Sequence, residues 1–141
     1  MPEVDAEQVR RRSLARRRVA RGARWLDQRE PHWEKLIDLD TLRMADGCRC
    51  VLAQTADRLI VNLDRSWEYD DESGVNPYTQ VVEHLLGGVQ GYRRAELLGF
   101  DEEDVIAPAS DGYFVRSAVA FEDLQEAWVE EIVRRRANDA A

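Results

Sequence analysis

The chain reads as a mainly α protein, with an α+β fold still open. The expectation is one compact domain of several short helices between a long N-terminal and a long C-terminal helix. Three observations carry it. Near the N-terminus Ala15, Val19, Gly22, Ala23 and Leu26 fall on one helical stripe. Near the C-terminus Phe121, Leu124, Trp128 and Ile132 do the same, with Glu122 and Asp123 in the first turn and Arg134, Arg135 and Arg136 in the last, where each sign complements the helix dipole. Between them, glycines and prolines cut the chain into short pieces. With 141 residues, 44% of them hydrophobic, the chain suits a single domain with its own core.

The stripe of the first helix, extended backwards from Ala15, meets Arg12 and Gln8. The packed helix is therefore expected from residue 14. Residues 1–13 form a basic arm or projecting helix start, 14–136 the globular domain and 137–141 a flexible tail. Glu30-Pro31 ends the helix, because the residue before proline avoids the α region. Residues 32–37 and 38–42 read as two short turns, the second capped by Asp38 or Asp40, with Trp33, Leu36, Ile37, Leu39 and Leu42 directed to the core. Residues 50–54 open another short helix. Residues 59–63 are short, aliphatic and β-branched enough for a strand or a buried helical turn, and 113–119 would pair with them in a small two-stranded element. Residues 64–76 read as an exposed loop. Pro77 starts a helix through Val81, Val82 and Leu85 that Gly87-Gly88 stops. Tyr92 to Leu98 makes another, closed by Gly99, and Asp101 to Asp104 is an acidic turn.

Charge is segregated. Eight of the nineteen arginines lie at or before Arg24, against Glu3, Asp5 and Glu7, a local +5. The remaining residues carry −13, and the two give the net −8. Such clustering steers encounter with a charged partner and does little for a fold. No apolar run reaches the ~18–20 residues that span a bilayer, and no apolar stretch follows the N-terminal arginines, so neither membrane insertion nor a signal peptide is expected. Two cysteines so close together make no disulfide framework. These features fit a cytoplasmic protein.

Catalytic signatures are missing: G-x-S-x-G, Walker A, G-x-G-x-x-G and H-E-x-x-H do not occur. Neither catalytic residues nor a cofactor are assigned; the reading leans to a non-enzymatic protein and leaves a metal-dependent or thiol enzyme at Cys48 or Cys50 as a third alternative. Cys48, Cys50, His32 and His84 are the only soft metal ligands, and Cys-x-Cys with isolated histidines fits structural zinc poorly. Cys50, beside Val51 and Leu52, reads better as a small buried residue.

Two charged surfaces remain. Trp67, Tyr69, Asp70 and Asp71 form an aromatic and acidic loop, and Asp101, Glu102, Glu103 and Asp104 a second acidic cluster. An EF-hand beginning at Asp64 fails because Tyr69 stands where glycine is required. An exposed Trp67 would suit a protein-interaction hot spot. Arg10, Arg17, Arg21 and Arg24 cluster about 180° from the apolar stripe, since each residue turns the helix by ~100°. This ridge suits phosphate contact, although nothing before Trp25 supplies an aromatic ring to stack on bases.

Residues 21–27 (RGARWLD), Pro31, Trp33, residues 37–42 (IDLDTL), residues 50–54 (CVLAQ), Leu98-Gly99-Phe100 and the closing helix from Phe121 to Trp128 resemble small accessory proteins of actinobacteria and their phages. The resemblance implies a compact, mainly helical phage-type protein and transfers no site residue. The leading expectation is a binding protein that engages a host or phage protein through its acidic surface. The alternative is a small DNA-associated regulator that uses the arginine ridge. A homo-oligomer remains open.

Overall fold

A computed structural model describes residues 6–68, 76–87, 90–102 and 119–139. In chain order its elements are α1 (Ala6–Arg29), the 3-10 turn η1 (Trp33–Leu36), α2 (Val51–Leu59), the 3-10 turn η2 (Ser66–Glu68), α3 (Pro77–Leu85), α4 (Gly91–Leu97) and α5 (Phe121–Asp139). The described residues contain no strand, so the mainly α expectation holds. None of these helices is long and apolar enough to cross a membrane.

The two terminal helices form the frame. Ala15, Val19, Gly22, Ala23 and Leu26 of α1 are buried, as their stripe predicts, and so are Leu124, Trp128 and Ile132 of α5. Ion pairs ascend together along both helices, from Arg11–Asp123 through Arg16–Glu130 to Asp27–Arg135, so α1 and α5 run parallel. Both helices outrun their apolar stripes. α1 is helical from Ala6, within the segment expected as an arm or projecting helix start, and there Arg11 and Arg12 reach carboxylates of α5 instead of apolar partners. At the other end α5 continues through residues 137–139 of the expected tail.

An aromatic row fills the centre. Phe100 stacks on Trp128 at 5.3 Å and 11°, while Trp33 meets Trp128 edge-on at 5.6 Å and Trp25 meets Phe100 edge-on at 5.8 Å. Such pairs contribute about 0.5–1.5 kcal/mol each beyond the area they bury. The Trp128 indole N–H donates to the Gly99 carbonyl at 2.6 Å, so the most central ring has its polar atom satisfied. Gly99 closes α4 at φ 77, the left-handed conformation expected of a helix C′ glycine. Pro77 begins α3 as expected, with the Asn76 side chain accepting from the Thr79 N–H at 2.8 Å.

Loops are held by glutamines. Gln54 accepts from the Asp38 N–H and donates to the Asp38 and Arg49 carbonyls. Gln80 accepts from the Asp64 N–H at 2.7 Å and donates to the Asp64 carbonyl at 2.8 Å. Gln125 accepts from the Met44 N–H and donates to the Leu42 carbonyl, both at 2.8 Å. Each helix-borne amide thus supplies the donor and acceptor that a neighbouring strand would supply. This accounts for residues 60–63. They follow α2 as irregular chain, with Val61 96% exposed, and the next residue, Asp64, bonds to Gln80. Residues 113–118 of the expected pair lie outside the described residues. Leu36, expected in the core, stays 36% exposed at the rim of η1, while Trp33, Ile37 and Leu42 are buried and Leu39 is partly buried against them.

Gly22 marks the tightest approach. A Cβ placed there would lie 2.0 Å from the Leu98 carbonyl oxygen and 3.1 Å from the Trp128 ring. Helix propensity alone favours alanine over glycine by about 1 kcal/mol. A clash with backbone reverses the sign, and Gly22→Ala is expected to destabilise the fold by about 3 kcal/mol. The corresponding fall in Tm is roughly 10 °C for a chain of this size. Thermal unfolding by circular dichroism checks it, and an unchanged or raised Tm would refute the close crossing.

Candidate functional site

The eight N-terminal arginines divide according to what α5 offers them. Arg11 pairs with Asp123 at 3.5 Å, Arg12 with Glu126 at 3.7 Å and Arg16 with Glu130 at 3.2 Å. Arg18 is buried. The remaining four, Arg10, Arg17, Arg21 and Arg24, are exposed, and none of them forms an ion pair or hydrogen bond among the described residues. They sit opposite the buried stripe, along about 21 Å of helix at 1.5 Å per residue. Gln28 extends the same line, Ser13 and Ala20 flank it on one side, and the half-buried Leu14 and Trp25 border it on the other. Exposed pairs such as Arg12–Glu126 are individually weak, at most about 1 kcal/mol. Their effect is to neutralise one side of α1, leaving the other side cationic.

At the far end of the pair the signs reverse. Asp27 of α1 accepts from both guanidinium nitrogens of Arg135, at 2.6 and 2.9 Å, and from the Trp33 indole N–H at 2.9 Å. Burial pushes the Asp27 carboxyl up, but the hydrogen bonds from Arg135 and Trp33 outweigh it and hold the group below its ordinary value. Glu131, also bonded to Arg135 and Arg134, is lowered in the same way against its own burial. Arg136 donates to the backbone carbonyls of Glu34 and Ile37, which ties η1 to the last turn of α5. A cleft of about 490 Å³ opens here, lined by Asp27, His32, Glu34, Arg134, Arg135 and Asp139 among others. Single ligand atoms of His32, Glu34 and Asp139 lie within 4.8 Å of one another.

The other candidates from the sequence are placed as follows. Trp67 is half-buried in η2, and its indole N–H is buried without an acceptor among the described residues. Tyr69, Asp70 and Asp71, and Glu103 and Asp104 of the second cluster, lie outside the described residues. Asp101 accepts from the Tyr78 hydroxyl at 2.6 Å, and burial together with that carboxylate pushes the Tyr78 phenol up. Glu102 accepts from the Phe121 N–H at the start of α5. Both acids therefore serve local structure.

Cys48, Cys50, His32 and His84 are not assembled into a ligand cluster, since the only such group among the described residues is His32, Glu34 and Asp139. Cys50 is buried as the sequence suggests, and burial pushes its thiol up to about 12, which leaves it neutral and unreactive. Glu34 and Asp139 were not singled out from sequence, because each looks like an ordinary surface acid until η1 and the end of α5 are brought together. Comparison with family models, curated proteins and solved structures finds no match.

The Asp27 node has a pH signature. Its carboxyl is lowered from 3.8, so its stabilisation is present above that value and is lost as pH falls through the depressed folded value. A charged hydrogen bond contributes about 2 kcal/mol, which we discount to about 1 kcal/mol because the Asp27 side chain is 39% exposed. Asp27→Asn is expected to lower Tm by about 3 °C at pH 7, the gap to the parent narrowing below pH 4. Melts recorded from pH 7 to pH 2.5 check it, and a gap independent of pH would refute the assignment.

Proposed function

We propose that the chain is a non-enzymatic binding protein whose α1 ridge contacts the phosphate backbone of a nucleic-acid duplex. One observation carries the reading. Arg10, Arg17, Arg21 and Arg24 stay exposed and unpaired while Arg11, Arg12 and Arg16 of the same helix are engaged by α5. Guanidinium groups present forked donors that match phosphate oxygens. A protein-protein surface would be expected to centre on aromatic or aliphatic anchors, whereas the apolar side chains that border the ridge, Leu14 and Trp25, are packed against the core. The net charge of −8 opposes approach to DNA only over short range. At physiological salt the screening length is about 8 Å, so acids on the far side of the domain are largely masked from a partner on α1.

The reading through the acidic surface draws less support. Asp101 and Glu102 are engaged in hydrogen bonds within the fold, and Trp67 is half-buried. Engagement of a host or phage protein is therefore the alternative outcome of the test.

Binding of the chain to a fluorescent DNA duplex, followed by anisotropy, provides the test. With four phosphates contacted, log K is expected to fall with log salt at a slope of about −3.6, a loss of roughly 100-fold between 50 and 200 mM. Replacing Arg10, Arg17, Arg21 and Arg24 together by glutamine is expected to abolish binding without lowering Tm. Unaltered binding in that variant, or failure of the parent to bind duplex at 50 mM salt, would overturn the proposal.

A further inference from the structure

Glu34 is an unusual acid. Its side chain is only 5% exposed, its carboxylate accepts no hydrogen bond among the described residues, and the His32 imidazole Nδ1 lies 4.0 Å from its Oε1. Its carboxylate opens into the cleft between η1 and the end of α5, where a cation can reach it. The arginines around it are committed elsewhere. Arg135 is bonded to Asp27 and Glu131, Arg134 to Glu131, and Arg136 to backbone carbonyls. Asp139, in the last turn of α5, adds a second carboxylate to the same cleft and has no ion-pair partner among the described residues. Once the Asp27–Arg135 and Glu131–Arg134 charges cancel, what faces the cleft is one imidazole and two carboxylates.

We infer that His32, Glu34 and Asp139 bind a divalent transition-metal ion of the zinc type. One nitrogen and two carboxylate oxygens are a donor set that zinc accepts, with the fourth position left to water or a ligand. Zinc holds such donors at about 2.0–2.2 Å. The 4.8 Å spread of the ligand atoms closes by side-chain rotation of His32 and Asp139, which are both exposed, onto the fixed Glu34. The two ends of the site lie far apart in sequence, in the turn after α1 and in the last turn of α5. The ion therefore staples the C-terminal ends of the two frame helices together. Because the ligands converge only in the folded chain, bound metal stabilises the native state.

Zinc titration of the full chain, stripped of metal with chelator, tests the inference by calorimetry and by thermal melts. One equivalent of Zn²⁺ is expected to bind and to raise Tm. Asp139→Asn and Glu34→Gln should each weaken binding at least tenfold, and Cys48→Ser should leave it intact. The metal-free melts separate a ligand from a structural acid. Asp139→Asn and Glu34→Gln should each leave the metal-free Tm unchanged, since neither carboxylate accepts a hydrogen bond among the described residues. Lack of saturable binding, undiminished binding in Asp139→Asn, or loss of binding in Cys48→Ser would each overturn the inference.

Discussion

Where α1 passes the turn that follows α4, two stretches of backbone meet with no side chain between them. Gly22 lies against the Leu98 carbonyl, and a Cβ on Gly99 would fall 2.8 Å from the Val19 nitrogen, so each glycine makes room for the other strand of chain. Much of the remaining architecture follows from this crossing. It brings the Gly99 carbonyl to the Trp128 indole, which orients that ring for stacking on Phe100 and for the edge contact with Trp33. With Trp128 placed, α5 lies parallel to α1, and the register decides which arginines meet acids. The division of α1 into a neutralised side and a cationic ridge is thus a consequence of backbone packing some distance from the ridge itself.

The connections between helices satisfy their backbone by an unusual route. A fold with this many short helices leaves many N–H and C=O groups outside regular hydrogen-bond ladders, and buried groups of that kind must find partners. Gln54, Gln80 and Gln125 each project from a helix and grip a loop by donor and acceptor together. A glutamine amide has the same pair of functions as a peptide group, so it can replace a strand edge at a single residue. The ambiguous aliphatic run after α2 resolves in these terms. Ile60 returns its N–H to Ala56 as the cap of the helix, Leu63 packs on the core, and the chain is then held by Gln80 without a ladder.

Those parts of the fold that depend on neighbours in sequence were legible beforehand. The stripes of α1 and α5, the proline start of α3 behind Asn76, and the glycine end of α4 all rest on periodicity or on one residue's backbone preference. Features that depend on pairing across the molecule were not. The sequence left the start of α1 open between an arm and a projecting helix, and the carboxylates that receive Arg11 and Arg12 lie more than a hundred residues away. The glutamine clamps carry no local signal, since glutamine on a helix is ordinarily a solvated residue. The ridge stands between these cases. Its angular position was readable from spacing, but which arginines remain free could be known only after the acids of α5 were aligned. Glu34 and Asp139 were illegible for the same reason, being brought together by tertiary contact alone.

The ridge is difficult to explain as a stability device. Arg17 and Arg21 are four residues apart and Arg21 and Arg24 three, spacings at which like charges on a helix repel by about 0.2–0.5 kcal/mol per pair. A helix face selected only for solubility and stability would alternate acids with bases, as the opposite flank does when it meets α5. Here the repulsion is left uncompensated inside the domain, although acids are abundant elsewhere in the chain. Nor does the count of arginines alone account for the placement, because the same residue type is paired at positions 11, 12 and 16 and unpaired at 10, 17, 21 and 24. The unpaired charge faces outwards along one line, and an anionic partner would relieve the repulsion on contact. That gain comes in addition to the phosphate contacts themselves, and it gives the proposed interface a driving force that a solvated face of mixed charge would lack.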